Sequence, residues 1–146
     1  NLSLEFYKNL VADDTQLVFG RTYAILEKAN LALVTSGTAT LETALFEVPQ
    51  VVCYATSPIS FRIAKLLVKI KFISLVNLIL DKELVKELIQ GDCTSKNMVH
   101  YLKKLEDGSP ERTSLTSNYK ILIESLGNEG ASDRVAADIL ETFFAK

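Results

Sequence analysis

The sequence predicts an open α/β domain, a parallel sheet with helices on both faces, and three observations carry that prediction. Two apolar runs, Leu31-Ala32-Leu33-Val34 and Gln50-Val51-Val52-Cys53-Tyr54, lack the polar alternation of a half-exposed strand, as expected of strands covered on both faces. Segments of helical composition alternate with them over short connections, the pattern of crossovers between parallel neighbours. The 146 residues, 48% hydrophobic and 23% charged, suffice to close one core and lie near the globular average.

In chain order, segment 16–19 is a short β-type run closed by Gly20, and 23–29 has helical composition and spacing. Segment 31–34 is the second strand. Thr35-Ser36-Gly37-Thr38 supplies a turn and an N-cap, and 39–46, with Ala39, Leu41, Glu42, Ala44 and Leu45, is a helix that Pro49 ends. The third strand is 50–54. Pro58, a good first-turn residue, opens an amphipathic segment over 59–70, which completes the order β-α-β-α-β-α. Beyond Lys71 the pattern weakens: 72–80 fits strand, loop or short helix, and 83–89 fits helix or helix-to-strand. Thr94 caps a helix over 95–105, which Asp107-Gly108 and Pro110 end, and two more helices follow over 111–126 and 132–144, separated by Gly127 and Gly130. There is no internal repeat or low-complexity tract.

Composition narrows the function. Sixteen basic residues face eighteen acidic ones, net −2, without the basic excess of a nucleic-acid binder. Charge is unevenly placed, however: residues 58–104 hold nine Lys/Arg against four Asp/Glu, and both flanks are acidic. Cys53 and Cys93 make no disulfide framework, which favours a reducing compartment. The single histidine, His100, has no neighbours at metal-ligand spacing, which argues against a His-bearing zinc site or a Ser-His-Asp triad. The most apolar stretch, 59–80, is broken by Arg62, Lys65, Lys69 and Lys71 and does not qualify as a membrane span. Starting at Asn1, with neither Met nor a charged-then-apolar leader, the chain reads as a fragment.

The most informative stretch is Val34-Thr35-Ser36-Gly37-Thr38-Ala39-Thr40-Leu41-Glu42, where a buried strand ends in small polar residues and a helix begins at once. The first turn of a helix has N–H groups without intrahelical partners and a partial positive charge, so backbone amides there can hold a phosphate. Gly37 permits close approach, and Thr38 and Thr40 add hydroxyl donors. In open parallel sheets ligands lie outside the carboxyl ends of the strands, where this junction falls. Glu42, five residues beyond Gly37, suits neighbouring ribose hydroxyls better than a phosphate, which it would repel. A purely structural reading fits the same residues: Ser36 caps, Gly37 turns, and Glu42 is a solvated carboxylate favoured by the helix dipole. Local pattern alone leaves both open.

Ser36-Gly37-Thr38-Ala39-Thr40-Leu41-Glu42-Thr43-Ala44-Leu45 followed by Pro49-Gln50-Val51-Val52-Cys53-Tyr54 resembles the signature of the lipid-A-disaccharide synthases, glycosyltransferases of the two-domain GT-B fold. Ser74-Leu75-Val76-Asn77-Leu78 resembles that family's S-L-P-N-L tract, and Val85-Lys86-Glu87-Leu88-Ile89-Gln90 its V-P/K-E-L-L-Q tract. Gly130-Ala131-Ser132-Asp133-Arg134-Val135-Ala136 is similar to a C-terminal segment of the family. The sequence departs at Val76, where the family usually has Pro.

The resemblance implies an enzyme that joins UDP-2,3-diacylglucosamine to 2,3-diacylglucosamine 1-phosphate (lipid X), releasing UDP, with inversion and with neither metal nor cofactor. It implies a Rossmann-like sheet, the C-terminal half of the GT-B fold. Residues 1–107 would form the UDP-sugar-binding domain, and helices over 108–146 would pack on it or back onto a missing N-terminal domain. Ser36, Gly37, Thr38, Ala39 and Thr40 would bind the diphosphate, Glu42 the ribose, and the backbone near Phe19 and Gly20 the uracil; Asn77 and Gln90 would face the donor or the cleft. The catalytic base would belong to the missing domain. The implied location is the cytoplasm, with peripheral contact at the inner face of the inner membrane.

Segment 61–71, with Lys65, Lys69 and Lys71, fits both a membrane-facing basic helix and an ordinary sheet-covering one. Cys53 reads as a small buried hydrophobe, Cys93 has no adjacent His and no C-x-x-C partner, which argues against a redox role, His100 reads as structural or solvated, and Tyr54 and Thr56 as either cleft or loop packing. Two rival functions remain: another UDP-sugar enzyme of the GT-B fold, and a non-catalytic α/β ligand-binding module.

Overall fold

The apolar runs become strands here, 50–54 covered on both faces and 32–35 on one. The computed structural model describes residues 3–58, 61, 71–127 and 130–144. Its elements are α1 (Leu4–Lys8), α2 (Thr22–Leu26), β1 (Ala32–Thr35), α3 (Thr38–Leu45), β2 (Gln50–Tyr54), α4 (Leu75–Leu80), β3 (Lys86–Ile89), a 3-10 turn (Gln90–Asp92), α5 (Ser95–Lys103), α6 (Pro110–Leu126) and α7 (Ala131–Phe144). The strands form a parallel sheet in the order β1-β2-β3. Val34 pairs with Val52 and Cys53 with Leu88.

Alternation along the strands sends Val34 and Val52 to one face, where α3, α4 and α6 close the core. Ala44, Val52, Val76, Val85, Leu115, Tyr119 and Leu122 form this cluster, each fully or almost fully buried. Burying a Val or Leu side chain stabilises by about 1.5–3 kcal/mol, so this face holds the sheet together. On the opposite face Val51 and Leu88 are buried, and α5 lies against β2 and β3. Cover ends at β1, where Leu33 stays 49% exposed. Helices on both faces of a parallel sheet are therefore the observed architecture.

Helix starts follow their caps. Ser74, Thr94 and Ser109 each accept from the amide three residues on and open α4, α5 and α6. The ambiguous stretch 72–80 thus resolves as a helix from Leu75 to Leu80. Val76 lies in its first turn, where an N–H has no intrahelical partner, so Val and Pro both fit this position. Within segment 83–89, Lys86–Ile89 resolve as β3, because Val51 to Tyr54 of β2 offer them a ladder, while 83–85 are irregular.

One expected strand is corrected. Residues 16–19 are irregular, because no strand among the described residues pairs with them; Val18 and Phe19 are exposed, and the Phe19 ring meets Tyr7 edge-on at 5.5 Å. The amphipathic segment 59–70 lies outside the described residues apart from Phe61. Among the described residues, no helix is long and apolar enough to cross a membrane.

Candidate functional site

The carboxyl ends of β1, β2 and β3 bring Ser36, Thr56 and Gln90 to one edge of the sheet. At β1 the chain passes through Ser36 and Gly37 straight into α3. Gly37 is the N-cap, with φ 143° and ψ −161°, a region essentially closed to side-chain-bearing residues. No side chain caps this helix. A Cβ built on Gly37 would meet nothing within 4 Å among the described residues, so glycine is needed there for its backbone. Gly37, Thr38 and Ala39 are exposed there.

The expected capping role of Ser36 is corrected by these contacts. Its hydroxyl donates to the Ile73 carbonyl at 3.0 Å, and its amide donates to the Cys53 carbonyl at 3.2 Å. Ser36 therefore ties the junction to two neighbouring segments and leaves the helix end uncapped. The uncapped end has the partial positive charge of a helix N-terminus, in the position where a phosphate is held by amides.

Glu42, one turn into α3 and half-buried, lines a concavity of about 410 Å³ with Gly20, Arg21, Thr22, Tyr23 and Ala24. Tyr23 stacks on Phe46 at 5.4 Å and 30°, which fixes α2 over the end of α3. Gly20, at φ 67°, turns the chain into this position. Gly20 and Glu42 are thus brought together, as the nucleoside reading requires, while the Phe19 ring turns to Tyr7. Arg21 and Tyr23 were not singled out by the sequence. The available signal was Arg21 itself, the one arginine before Arg62 and adjacent to the Gly that closes an apolar run.

Three candidates are placed differently from the expectation. Thr40 is completely buried, and its hydroxyl donates back to the Gly37 carbonyl at 2.8 Å, so it is satisfied inside the turn. Asn77 is also completely buried. Its amide nitrogen donates to the Val85 carbonyl and the Glu87 carboxylate, both at 2.8 Å, and its oxygen accepts from the amides of Leu84 and Val85 at 2.8 and 2.9 Å. A buried polar group must be paired, and this one is paired fully within the fold. Gln90, held at φ 52°, reaches the correct edge but clasps the loop after β2: it accepts from the Thr56 amide at 2.8 Å and donates to the Thr56 carbonyl at 3.1 Å. Thr56 is accordingly a partner of that clasp.

Cys53 and Cys93 interact at the same edge, both half-buried and neither in a disulfide. Burial, with Cys93 as a second cause, pushes the Cys53 thiol up to about 11.

Residues 3–138 match the sequence model of the lipid-A-disaccharide synthetase family. Relatives named lipid-A-disaccharide synthase include one from Psychromonas ingrahamii, 49% identical over 90 residues, 62% of this chain and 24% of that protein. One from Anaeromyxobacter dehalogenans is 37% identical over 127 residues, 87% of this chain and 33% of its own length. One from Pseudomonas putida is 38% identical over 116 residues, 79% of this chain and 31% of its own. The chain thus spans between 24% and 33% of the length of these curated relatives.

Proposed function

The chain belongs to the lipid-A-disaccharide synthetase family, and from that premise we propose that it is the UDP-sugar-binding part of a glycosyltransferase of lipid A biosynthesis. One observation carries this reading: an uncapped helix N-terminus at the carboxyl end of a parallel strand, with a carboxylate one turn further in. The amides at the start of α3 hold the diphosphate, with Gly37 and Ala39 contributing backbone and Thr38 adding its exposed hydroxyl. Glu42 accepts from the ribose hydroxyls, and the main chain at Gly20 borders the uracil.

Charge explains the division of work. Transfer leaves a further negative charge on the β-phosphate of the departing UDP, and fixed amide dipoles stabilise that charge where it develops. A carboxylate in the same place would oppose it, which is why Glu42 belongs at the ribose. The acceptor hydroxyl of lipid X needs a base. In this reading the base comes from a further domain, so the reaction, metal-free transfer of 2,3-diacylglucosamine from its UDP donor to lipid X with inversion at the anomeric carbon and release of UDP, requires parts beyond these residues. Location at the inner face of the inner membrane follows from two acylated substrates.

Residues 1–107 are the nucleotide-binding body in this scheme, and α6 completes it through Leu115, Tyr119 and Leu122. Helix α7 bears Val135, Ile139, Leu140 and Phe143, all exposed and spaced to share a face. That face suits packing against the further domain. The test is to assay this chain by itself for UDP binding and for disaccharide formation. Binding without turnover is expected; turnover by the isolated chain would overturn the division of labour.

A further inference from the structure

We propose that Glu87 is a positioning residue for the strand–helix junction at Ser36 to Thr38, acting through the main chain of Ile73. Glu87 lies on β3, two strands away from β1. Its carboxylate accepts from the Ile73 amide at 3.0 Å, the Ser74 amide at 2.9 Å and the Asn77 side chain at 2.8 Å. Hydrogen bonds to an ionised acceptor are about twice as strong as neutral ones, so three on one carboxylate fix 73–74 firmly against β3. The Ile73 peptide is thereby held on one side by Glu87, and on the other its carbonyl receives the Ser36 hydroxyl at 3.0 Å.

Ser36 is the last residue before the glycine that opens α3, and its amide is already anchored on Cys53. Two anchors from different strands fix both the height and the direction of the turn at Gly37, whose φ of 143° offers little steric guidance of its own. Glu87 thus orients the α3 amides without contacting whatever they bind. Asn77 is the brace of the same relay, since Ser74 accepts from its main-chain amide at 3.3 Å while its side chain joins Glu87 to the 84–85 turn. The link between Glu87 and the junction stands on geometry, whereas its consequence for UDP rests on the function proposed above.

Residue-resolved amide exchange and UDP titration, both on the full-length protein, separate the two. Glu87→Gln should speed exchange at Ile73 and Ser74 and also at the hydrogen-bonded amides of Ser36 and Thr40, by about tenfold for a lost charge-assisted bond. Ser36→Ala should speed Ser36 and Thr40 alone. The double variant should be no faster at Thr40 than Ser36→Ala, because both substitutions cut one relay. UDP affinity should fall in the same order, with no further loss in the double variant. If Glu87→Gln loosens Ile73 but leaves Ser36 and Thr40 at the parent rate, or if the two substitutions add, the relay is overturned. Should Glu87→Gln unfold, Glu87→Asp, which withdraws the charge by one methylene, gives the same reading. A parent protein that takes up no UDP while the exchange pattern holds would refute the nucleotide site and leave the relay standing.

Discussion

Gln50 and Tyr119 lock the first residue of β2 to α6. The Gln50 amide nitrogen donates to the Tyr119 hydroxyl at 3.3 Å and to the Thr40 carbonyl at 2.9 Å, with both side chains at 0% exposure. A glutamine that lies within the family signature is therefore a core residue joining β2, α3 and α6.

That contact predicts an alkaline weakness. Burial drives the Tyr119 hydroxyl well above its ordinary value of 10, and the bonds to Gln50 offset this only in part. Below pH 10 the group is neutral whether the chain is folded or unfolded; above it the unfolded chain releases the proton first, so stability falls as pH rises. The urea midpoint should fall as pH rises above about 10, and less steeply in Tyr119→Phe. At neutral pH that variant should lose about 1–3 kcal/mol for the unpaired Gln50 hydrogen. Equal alkaline slopes in the two proteins would contradict this.

Asn77→Asp tests the burial of a residue that the motif alone places at a cleft. The new oxygen would face the Glu87 carboxylate and the Val85 carbonyl, both acceptors now served by the amide. Unfolding should cost about 3 kcal/mol less than in the parent near pH 7, and the gap should narrow as pH falls toward about 4, below which the added carboxyl is protonated in the folded and the unfolded chain alike. Proton uptake by the folded variant at a raised pKa gives that sign. A gap of the same size at both pH values would mean the side chain is not held against Glu87.

The apolar face of α7 yields a differential prediction. Phe143, 72% exposed, should be replaceable by Lys in this chain with less than about 1 °C change in Tm. In the full-length protein the same change should lower Tm by about 3 °C or more if the face is covered there. Identical responses in both would remove the case for a covering domain.

The sequence made β1, α3 and β2 legible because a non-alternating apolar run between turn residues has few other uses. Thr94 announced α5 for a similarly local reason, since Thr94 and Asn97 make the cap by themselves. Residues 16–19 misled because β-type composition makes a strand only beside a partner. Segment 83–89 was ambiguous for the converse reason, its identity being set by pairing with β2. Around the junction, the placement of Gly37 at the start of α3 and of Glu42 one turn in was legible from turn residues and helix spacing. Thr40, Asn77 and Gln90 were not, because a polar residue in a motif looks the same whether it serves a ligand or a buried bond. Only the contacts to Gly37, Glu87 and Thr56 distinguish these cases.

The most direct test of the account is calorimetric titration of UDP into this chain and into Glu42→Ala. Glu42 is half-buried beside Gly20 and has no place in the core, so its loss should leave Tm unchanged. The account predicts UDP binding by the parent chain and affinity about tenfold weaker in the variant, the usual effect of a lost charge-assisted hydrogen bond. Equal affinity in the two proteins, or no binding by the parent, would contradict it.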